Sequence, residues 1–171
     1  MGFLTNHKEK TPLGIYVHVP FCRSKCQYCD FYSLCTKEDK VIDGYLDAVC
    51  DHIKEAGELA PNYRVDSIYF GGGTPSFFGA DGMATILPAI RRSFDVTSDA
   101  EITFEANPDS ISDKLLHRLY AEGFNRVSLG IQSDDDEMLK KLGRPHTYAQ
   151  AVNAYQRIRK AGFRNVSVDL M

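Results

Sequence analysis

The chain has 171 residues, of which 43% are hydrophobic, and a formal net charge of −3 with an isoelectric point near 5.9. This length and apolar content are typical of one domain with a buried core. The charge gives no electrostatic reason to expect nucleic acid or an anionic membrane as a partner. No stretch is long and apolar enough for a transmembrane segment.

The N-terminus is polar and lacks the apolar core of a secretory signal. Five cysteines without such a signal indicate a reducing compartment, where clustered thiols serve as metal ligands more often than as disulfides. We therefore expect a cytoplasmic protein. We predict a flexible extension over residues 1–12 and a folded domain over residues 13–171.

Short β-rich runs alternate with helical patterns along the chain. Strands are predicted over residues 14–19, 65–70, 101–106, 126–131 and 165–171. Helices are predicted over residues 38–59, 81–94, 113–123 and 149–162, and a further one begins at Ser133. Pro88 should bend the second helix, and Ser112 is the expected N-cap of the third.

One short repeat supports this alternation. The segments 122–131 and 161–170 share the frame Gly-Phe-x-x-Val-Ser. In each, the glycine would end a helix in a left-handed conformation, and the phenylalanine would pack back before the next strand. Two copies of one helix-to-strand junction favour a parallel α/β fold, although a match this short can also arise by coincidence.

Polar groups follow the predicted strands at their carboxyl ends. A (β/α) barrel brings such ends together at one mouth, whereas an open doubly wound sheet spreads them along an edge. We therefore predict a partial (β/α) TIM-like barrel, truncated after about five parallel strands. Because Met171 lies inside the fifth predicted strand, we expect the C-terminal part of the domain to be missing.

The first strand is followed by the stretch HVPFCRSKCQYCDF, with three cysteines at Cys22, Cys26 and Cys29. Three thiolates can hold three irons of a four-iron cluster and leave the fourth iron open. A zinc site completed by Cys35, His18 or a distant histidine is the alternative, but these neighbours do not make a familiar zinc spacing. Buried, unreactive cysteines fit poorly with the polar residues between them.

The spacing Cys-x-x-x-Cys-x-x-Cys after a strand resembles the signature of the radical S-adenosylmethionine (radical SAM) superfamily. The segments GIYVHVPFC, IYFGGGTPS, ITFEANPDS, RVSLGIQS, KKLGRPHT and VSVDLM resemble the group that contains oxygen-independent coproporphyrinogen III oxidase and the related heme chaperones. The resemblance covers nearly the whole chain from residue 13. It implies a radical SAM core domain with a 4Fe-4S cluster on Cys22, Cys26 and Cys29, and S-adenosylmethionine on its open iron.

The resemblance also implies a set of cofactor-binding residues: Tyr16, Tyr28, Gly72, Gly73, Thr74, Glu105, Gln132, Arg144 and Asp169. Backbone N–H groups of the glycine run would bind the cofactor closely. Glu105 would point inward from its strand and need a partner, either the cofactor or a core arginine. Arg144 suits the cofactor carboxylate and Asp169 the ribose hydroxyls. Tyr16 and Tyr28 can equally be packing aromatics.

One departure separates the two branches of this group. The oxidases have a further cysteine two residues after the third, and Phe31 occupies that position here. The resemblance therefore implies a heme chaperone that receives electrons from a flavodoxin or ferredoxin type donor and passes heme to an acceptor protein. An oxidase or another radical enzyme acting on tetrapyrroles is the alternative, and a plain zinc-binding module is a third. No catalytic residue is assigned.

Overall fold

The computed structural model describes residues 10–171. The first nine residues of the predicted flexible extension lie outside this range. Thr11 and Pro12, its last two, belong instead to the first strand, where the Thr11 amide donates to the carbonyl of Asn62 at 3.0 Å. The first strand therefore begins three residues before its predicted start at residue 14.

Five strands form one parallel sheet: β1 (Thr11–Val19), β2 (Tyr63–Gly72), β3 (Val96–Ala106), β4 (Arg126–Gln132) and β5 (Asn165–Leu170). Each strand pairs with the next one in the chain, in the order β1-β2-β3-β4-β5. This sequential order is that of a (β/α) barrel, whereas a doubly wound sheet reverses its order at a switch point. The predicted partial barrel is confirmed, and β1 and β5 are the two open edges of the described sheet.

Six helices connect or extend these strands: α1 (Asp39–Glu58), α2 (Pro75–Phe78), α3 (Ala80–Ser93), α4 (Asp113–Glu122), α5 (Asp136–Lys141) and α6 (Tyr148–Lys160). The expected cap of α4 is present, because Ser112 accepts a hydrogen bond from the Leu115 amide. The start predicted at Ser133 is wrong by two residues. Asp135 caps α5 instead, since its carboxylate accepts from the amides of Glu137 and Met138. Helix α2 was not predicted.

The repeated junctions behave as predicted. Gly123 and Gly162 have φ values of 97° and 108°, the left-handed conformation that glycine adopts most easily. Phe124 and Phe163, which follow them, are each 1% exposed, and both rings contact Phe104 of β3. Each junction therefore fixes its helix to the core just before the next strand begins.

The hydrophobic core lies between the sheet and the helices that cover one face of the sheet. Because all five strands are parallel, their carboxyl ends lie at the same edge of the sheet. No helix within residues 10–171 is long and apolar enough to cross a membrane. The edge formed by the strand ends carries most of the polar residues singled out from the sequence, and it is the candidate site.

Candidate cofactor and metal site

The carboxyl ends of β2 to β5 and the loop after β1 enclose a cavity of about 170 Å³. We call it the cofactor cavity. Eleven of the twelve predicted site residues line it: Cys22, Cys26, Tyr28, Cys29, Gly72, Gly73, Thr74, Glu105, Gln132, Arg144 and Asp169. The prediction that residues far apart in sequence meet at one mouth therefore holds for this set. Tyr16 does not line the cavity.

The cysteine loop is held in place by backbone contacts at both its ends. The Cys22 amide donates to the Leu34 carbonyl at 3.0 Å, and the Leu34 amide donates to the Pro20 carbonyl. Inside the loop, the Cys29 amide donates to the Cys26 carbonyl at 3.2 Å, which makes a turn between the second and third cysteines. The loop thus carries all three thiols on one closed segment beside the strand ends.

The five thiols differ in exposure. Cys22 is buried, Cys26, Cys29 and Cys50 are half-buried, and Cys35 is exposed. Burial raises the pKa of the Cys22 thiol, while its hydrogen bond with the Thr74 hydroxyl opposes that rise. Within residues 10–171, no three Cys, His, Asp or Glu side chains are arranged closely enough to form a metal site as they stand.

His18 does not suit the alternative zinc site. Its Nε2 lies 3.0 Å from the Tyr32 carbonyl, an acceptor only, so Nε2 carries the proton. The Tyr16 hydroxyl lies 3.3 Å from Nδ1 and donates to it. Both ring nitrogens are therefore engaged in hydrogen bonds, and neither is available as a metal ligand in this arrangement.

Arg144 crosses the floor of the cavity and is 8% exposed. Its Nη2 donates to the Asn107 side-chain oxygen at 2.7 Å and to the Gly130 carbonyl at 2.9 Å. Its Nη1 lies 3.5 Å from both the Cys26 sulfur and the Tyr28 hydroxyl. Its Nε is buried without a hydrogen-bond partner among the described residues. A buried guanidinium with a free donor calls for an anionic ligand.

Glu105 is a buried carboxylate near the end of β3. Its two oxygens accept from the Tyr69 hydroxyl at 2.9 Å and from the Gly72 amide at 3.1 Å. Burial raises the pKa of the Glu105 carboxyl, and these two hydrogen bonds oppose the rise. Burial and the neighbouring Glu105 raise the pKa of Tyr69 to about 12, so this phenol stays protonated and donates. No arginine is among these hydrogen-bond partners of Glu105, so the core arginine considered as its partner is not found there.

The backbone amides of the glycine run make hydrogen bonds within the fold. The amides of Gly73 and Thr74 donate to the carbonyls of Val19 and Phe21, each at 2.8 Å, and the Gly72 amide donates to Glu105. These N–H groups therefore join the run to β1, the cysteine loop and β3. All three residues line the cavity, and their contact with a cofactor stays a prediction.

Packing explains the glycines. A Cβ on Gly73 would lie 2.8 Å from the carbonyl oxygens of both Val19 and Phe21. Gly72 has a φ of 109°, and a Cβ there would meet the His18 ring at 2.5 Å. The run lines the cavity through its remaining atoms, while its lack of side chains lets the cysteine loop pack against β2.

Gln132 and Asp169 lie at the ends of the last two strands. Gln132 has a φ of 73°, which is unusual for a residue other than glycine. It lies at the point where the pairing of β4 with β5 shifts register. Such strain is found at sites where a side chain must be re-aimed. Asp169 accepts from the Ser128 hydroxyl, 3.2 Å from each carboxylate oxygen, and this leaves further acceptor capacity facing the cavity.

Of the two tyrosines predicted to bind the cofactor, only Tyr28 lines the cavity. Tyr28 lies beside Arg144 and between the second and third cysteines, and burial raises its pKa. Tyr16 is 55% exposed on β1, where its ring stacks on Tyr69 with centroids 6.1 Å apart. Since Tyr69 holds Glu105, Tyr16 contacts the site only through an intermediate residue.

Four residues of the site were not among those predicted from the sequence. Asn107 and Gly130 accept from Arg144, Tyr69 donates to Glu105, and Ser128 donates to Asp169. The contact of Tyr69 with Glu105 could have been predicted, because both residues lie near the ends of neighbouring strands and strand alternation decides which face each occupies. Gly130 had no such signal, because a Cβ there would lie 2.9 Å from the Gln132 side-chain amide and 3.2 Å from the Arg144 guanidinium, contacts that only the fold brings about.

These donors and acceptors fit S-adenosylmethionine and an open cluster. The cavity offers a carboxylate and a guanidinium donor without a partner, which suit the ammonium and carboxylate of an amino acid. Its other carboxylate suits hydroxyl groups. Three thiols line the same cavity from one loop, and metal coordination deprotonates thiols irrespective of their free pKa.

A family comparison agrees with this chemistry. Residues 16–171 match the model of the radical SAM superfamily. The chain is 37% identical over 160 residues to the heme chaperone HemW of Lactococcus lactis, covering 94% of this chain and 41% of the relative. It is also 37% identical to HemW of Escherichia coli, covering 94% of this chain and 42% of the relative. The chain therefore spans about two fifths of the length of these relatives.

A solved structure with the same fold is the coproporphyrinogen III oxidase HemN of Escherichia coli, described as a radical SAM enzyme. The two are 31% identical with a TM-score of 0.87, covering 96% of this chain and 38% of the oxidase chain. The resemblance to the group containing heme chaperones and this oxidase, stated above from the sequence motifs, is confirmed.

Proposed function

Because the chain belongs to the radical SAM superfamily, we propose that the cofactor cavity holds a 4Fe-4S cluster and S-adenosylmethionine, within a protein that binds heme and transfers it to an acceptor protein. The observation that carries the proposal is the single cavity that gathers three thiols, Glu105 and Arg144 at the strand ends. We further propose that residues 13–171 form the core domain and that the protein works in the cytoplasm.

Cys22, Cys26 and Cys29 would hold three irons, and the fourth iron would accept the cofactor. Glu105 would accept hydrogen bonds from the N–H groups of the cofactor amine, since it is the buried carboxylate of the cavity. Arg144 would donate to the cofactor carboxylate, since one of its buried donors has no partner among residues 10–171. Asp169 would accept from the ribose hydroxyls, and Gln132, Tyr28, Gly72, Gly73 and Thr74 complete the walls.

When bound and reduced, the cluster supplies an electron that can cleave the sulfonium of the cofactor. The chain's own residues orient the cofactor and keep water away. Arg144 would contact the carboxylate of the cofactor and Glu105 its amine, so only one orientation of the methionine part satisfies both. Tyr69 and Asn107 hold these two side chains by hydrogen bonds of 2.9 and 2.7 Å, which makes them positioning residues.

Phe31 supports the chaperone over the oxidase. It lines the cofactor cavity beside the cluster cysteines and is 63% exposed. A phenylalanine cannot ligate metal or perform thiol chemistry, so the additional cysteine expected of an oxidase has no substitute here. The similarity to two HemW chaperones points the same way.

The second candidate is an oxygen-independent coproporphyrinogen III oxidase or a related radical enzyme acting on tetrapyrroles. The TM-score of 0.87 with the Escherichia coli oxidase is the observation in its favour. An electron donor of the flavodoxin or ferredoxin type is required by either candidate.

Parallel assays on the anaerobically reconstituted protein separate the two candidates. We expect heme titration to give a saturable change in the absorption spectrum. We also expect coproporphyrinogen III to stay unchanged when cluster, reductant and S-adenosylmethionine are all supplied. Protoporphyrinogen IX formed at an enzymatic rate, with no saturable heme binding, would contradict the chaperone assignment and favour the oxidase.

A further inference from the structure

A second and larger cleft, of about 840 Å³, also borders the cysteine loop. We call it the outer cleft. Its walls come from the cysteine loop, from the starts of α2 and α3, and from the first part of α4. Cys22 is a lining residue of both the outer cleft and the cofactor cavity. The outer cleft therefore borders a proposed cluster ligand, whereas Glu105 and Arg144 line only the cofactor cavity.

The outer cleft is positively charged although the chain as a whole is negative. Four basic side chains line it, Arg23, Lys37, Lys114 and Arg118, against the two carboxylates of Asp81 and Asp109. This is an excess of two positive charges on a protein whose formal net charge is −3. A concave surface of one sign focuses the electric field and attracts partners of the opposite sign.

Two of the four cations are already paired. Arg23 lies 3.5 Å from Asp109, and Arg118 lies 3.1 Å from Glu122. Lys37 and Lys114 are exposed and have no carboxylate within salt-bridge distance in residues 10–171. The Lys37 ammonium sits 4.3 Å from the centre of the Phe77 ring, a cation–π contact that holds it at the rim. Two cations without a salt-bridge partner therefore line the cleft, one from the loop before α1 and one from α4.

We propose that the outer cleft is the docking site for an acidic one-electron carrier protein, which reduces the cluster through the Cys22 side. This inference rests on the proposed function, since it requires the cluster. One electron passes from the reduced flavin or iron–sulfur centre of the carrier to the oxidised cluster [4Fe–4S]²⁺. The cluster becomes [4Fe–4S]⁺, and the carrier is oxidised by one electron.

The carrier reaches the cluster without displacing S-adenosylmethionine. The cofactor would bind in the cofactor cavity, which Glu105 and Arg144 also line. Reduction from the outer cleft lets both reactants be present at the same time. Unpaired rim cations chiefly accelerate encounter and make it dependent on ionic strength, which suits a carrier that must dissociate after each electron.

The test uses an acidic flavodoxin and the reconstituted protein. The affinity is measured by titration calorimetry at low and high salt, and the rate of cluster reduction by stopped-flow absorbance. The double variant Lys37→Glu/Lys114→Glu is compared with the double reversal Lys54→Glu/Lys160→Glu, which changes the net charge equally at exposed positions of α1 and α6 outside the cleft. We expect the cleft variant to lose on the order of tenfold in affinity and rate at low salt. The control variant should stay within about twofold of the parent.

Two controls keep the outcomes separate. Photochemical reduction followed by electron paramagnetic resonance should give equal cluster signals in all variants, which shows that the cluster is intact. The cluster-free protein should bind the carrier with the same charge dependence. An intact cluster with equal carrier binding and equal reduction rates in both variants would overturn the docking site. A parent protein that assembles no cluster would overturn the proposed function instead.

Discussion

Arg144 donates to the side-chain oxygen of Asn107 across the ends of β4 and β3, at 2.7 Å. Asn107 in turn donates to the Thr74 hydroxyl at 3.3 Å, and Thr74 lies 3.6 Å from the Cys22 sulfur. One chain of contacts therefore connects the arginine proposed to bind the cofactor carboxylate with a cysteine proposed to bind the cluster. The two halves of the site are positioned by the same residues.

The first prediction concerns Asn107. Asn107→Ala removes a hydrogen bond from a buried guanidinium, and we expect the free energy of unfolding to fall by about 1.5–3 kcal/mol. The dissociation constant of S-adenosylmethionine should rise, because Arg144 loses its orientation. Calorimetry on the cluster-loaded protein and denaturant unfolding measure the two effects. Asn153→Ala, at an exposed position of α6, is the control and should change neither by more than about 0.5 kcal/mol.

The second prediction concerns two glycines. Gly73→Ala places a Cβ 2.8 Å from two backbone carbonyls, which cannot move without opening the cysteine loop. We expect it to destabilise the fold by about 1–3 kcal/mol. Gly44→Ala, in an exposed part of α1 with nothing within 4 Å, should stabilise it by about 0.5–1 kcal/mol. Chemical denaturation of both variants checks the opposite signs, and equal effects would refute the packing role of the glycine run.

The third prediction concerns the pH dependence of stability in the cofactor-free protein. The pKa of Glu105 is raised above its ordinary value of 4.5 by burial. Between the unfolded and the folded pKa, the native state binds more protons, so the free energy of unfolding falls as pH rises through this window. Glu105→Gln removes the titration, and its profile should be flatter, approaching that of the parent below pH 4.5.

The same substitution should have the opposite effect on the cofactor. Glu105→Gln gains relative stability as pH rises, yet it should bind S-adenosylmethionine more weakly, because a neutral amide accepts hydrogen bonds from the cofactor amine less strongly than a carboxylate does. Glu55→Gln, exposed on α1, is the matched control for both measurements. A variant with unchanged cofactor affinity would show that Glu105 is only a structural carboxylate.

The fourth prediction concerns the cysteines. Alanine at Cys22, Cys26 or Cys29 should abolish the four-iron cluster after anaerobic reconstitution, while Cys35→Ala and Cys50→Ala should retain it. Three thiolates suffice for an open cluster, and Cys35 is exposed and outside the cofactor cavity. Iron and sulfide analysis with absorption spectra measures the content. Stoichiometric tetrahedral zinc that depends on Cys35 would contradict the cluster.

Local spacing and strand alternation were enough to predict the parts of the site that depend on one segment. The cysteines lie on one loop, and Glu105 points from an alternating strand, so neither needed knowledge of distant packing. The roles of Asn107 and Gly130 could not be predicted, because they depend on Arg144 donating to the ends of two different strands. The hydrogen bonds of the Gly72 and Gly73 amides could not be predicted for the same reason, since their partners on β1 and β3 are distant in sequence.

Element boundaries followed a similar rule. The capping residue Ser112 was predicted correctly because an N-cap acts within three residues. The start of α5 was placed two residues early because Ser133 and Asp135 are both competent caps, and only the observed hydrogen bonds favour Asp135. Helix α2 has four residues, too few to show a periodic pattern.

The measurement that tests the central claim most directly is electron paramagnetic resonance of the reduced, reconstituted protein with and without S-adenosylmethionine. An open iron that binds the amine and carboxylate of the cofactor changes its coordination, so we expect the spectrum of the cluster to shift when the cofactor is added. Arg144→Ala should weaken that shift at a fixed cofactor concentration. A four-iron spectrum that is the same with and without saturating cofactor would contradict the open three-cysteine site.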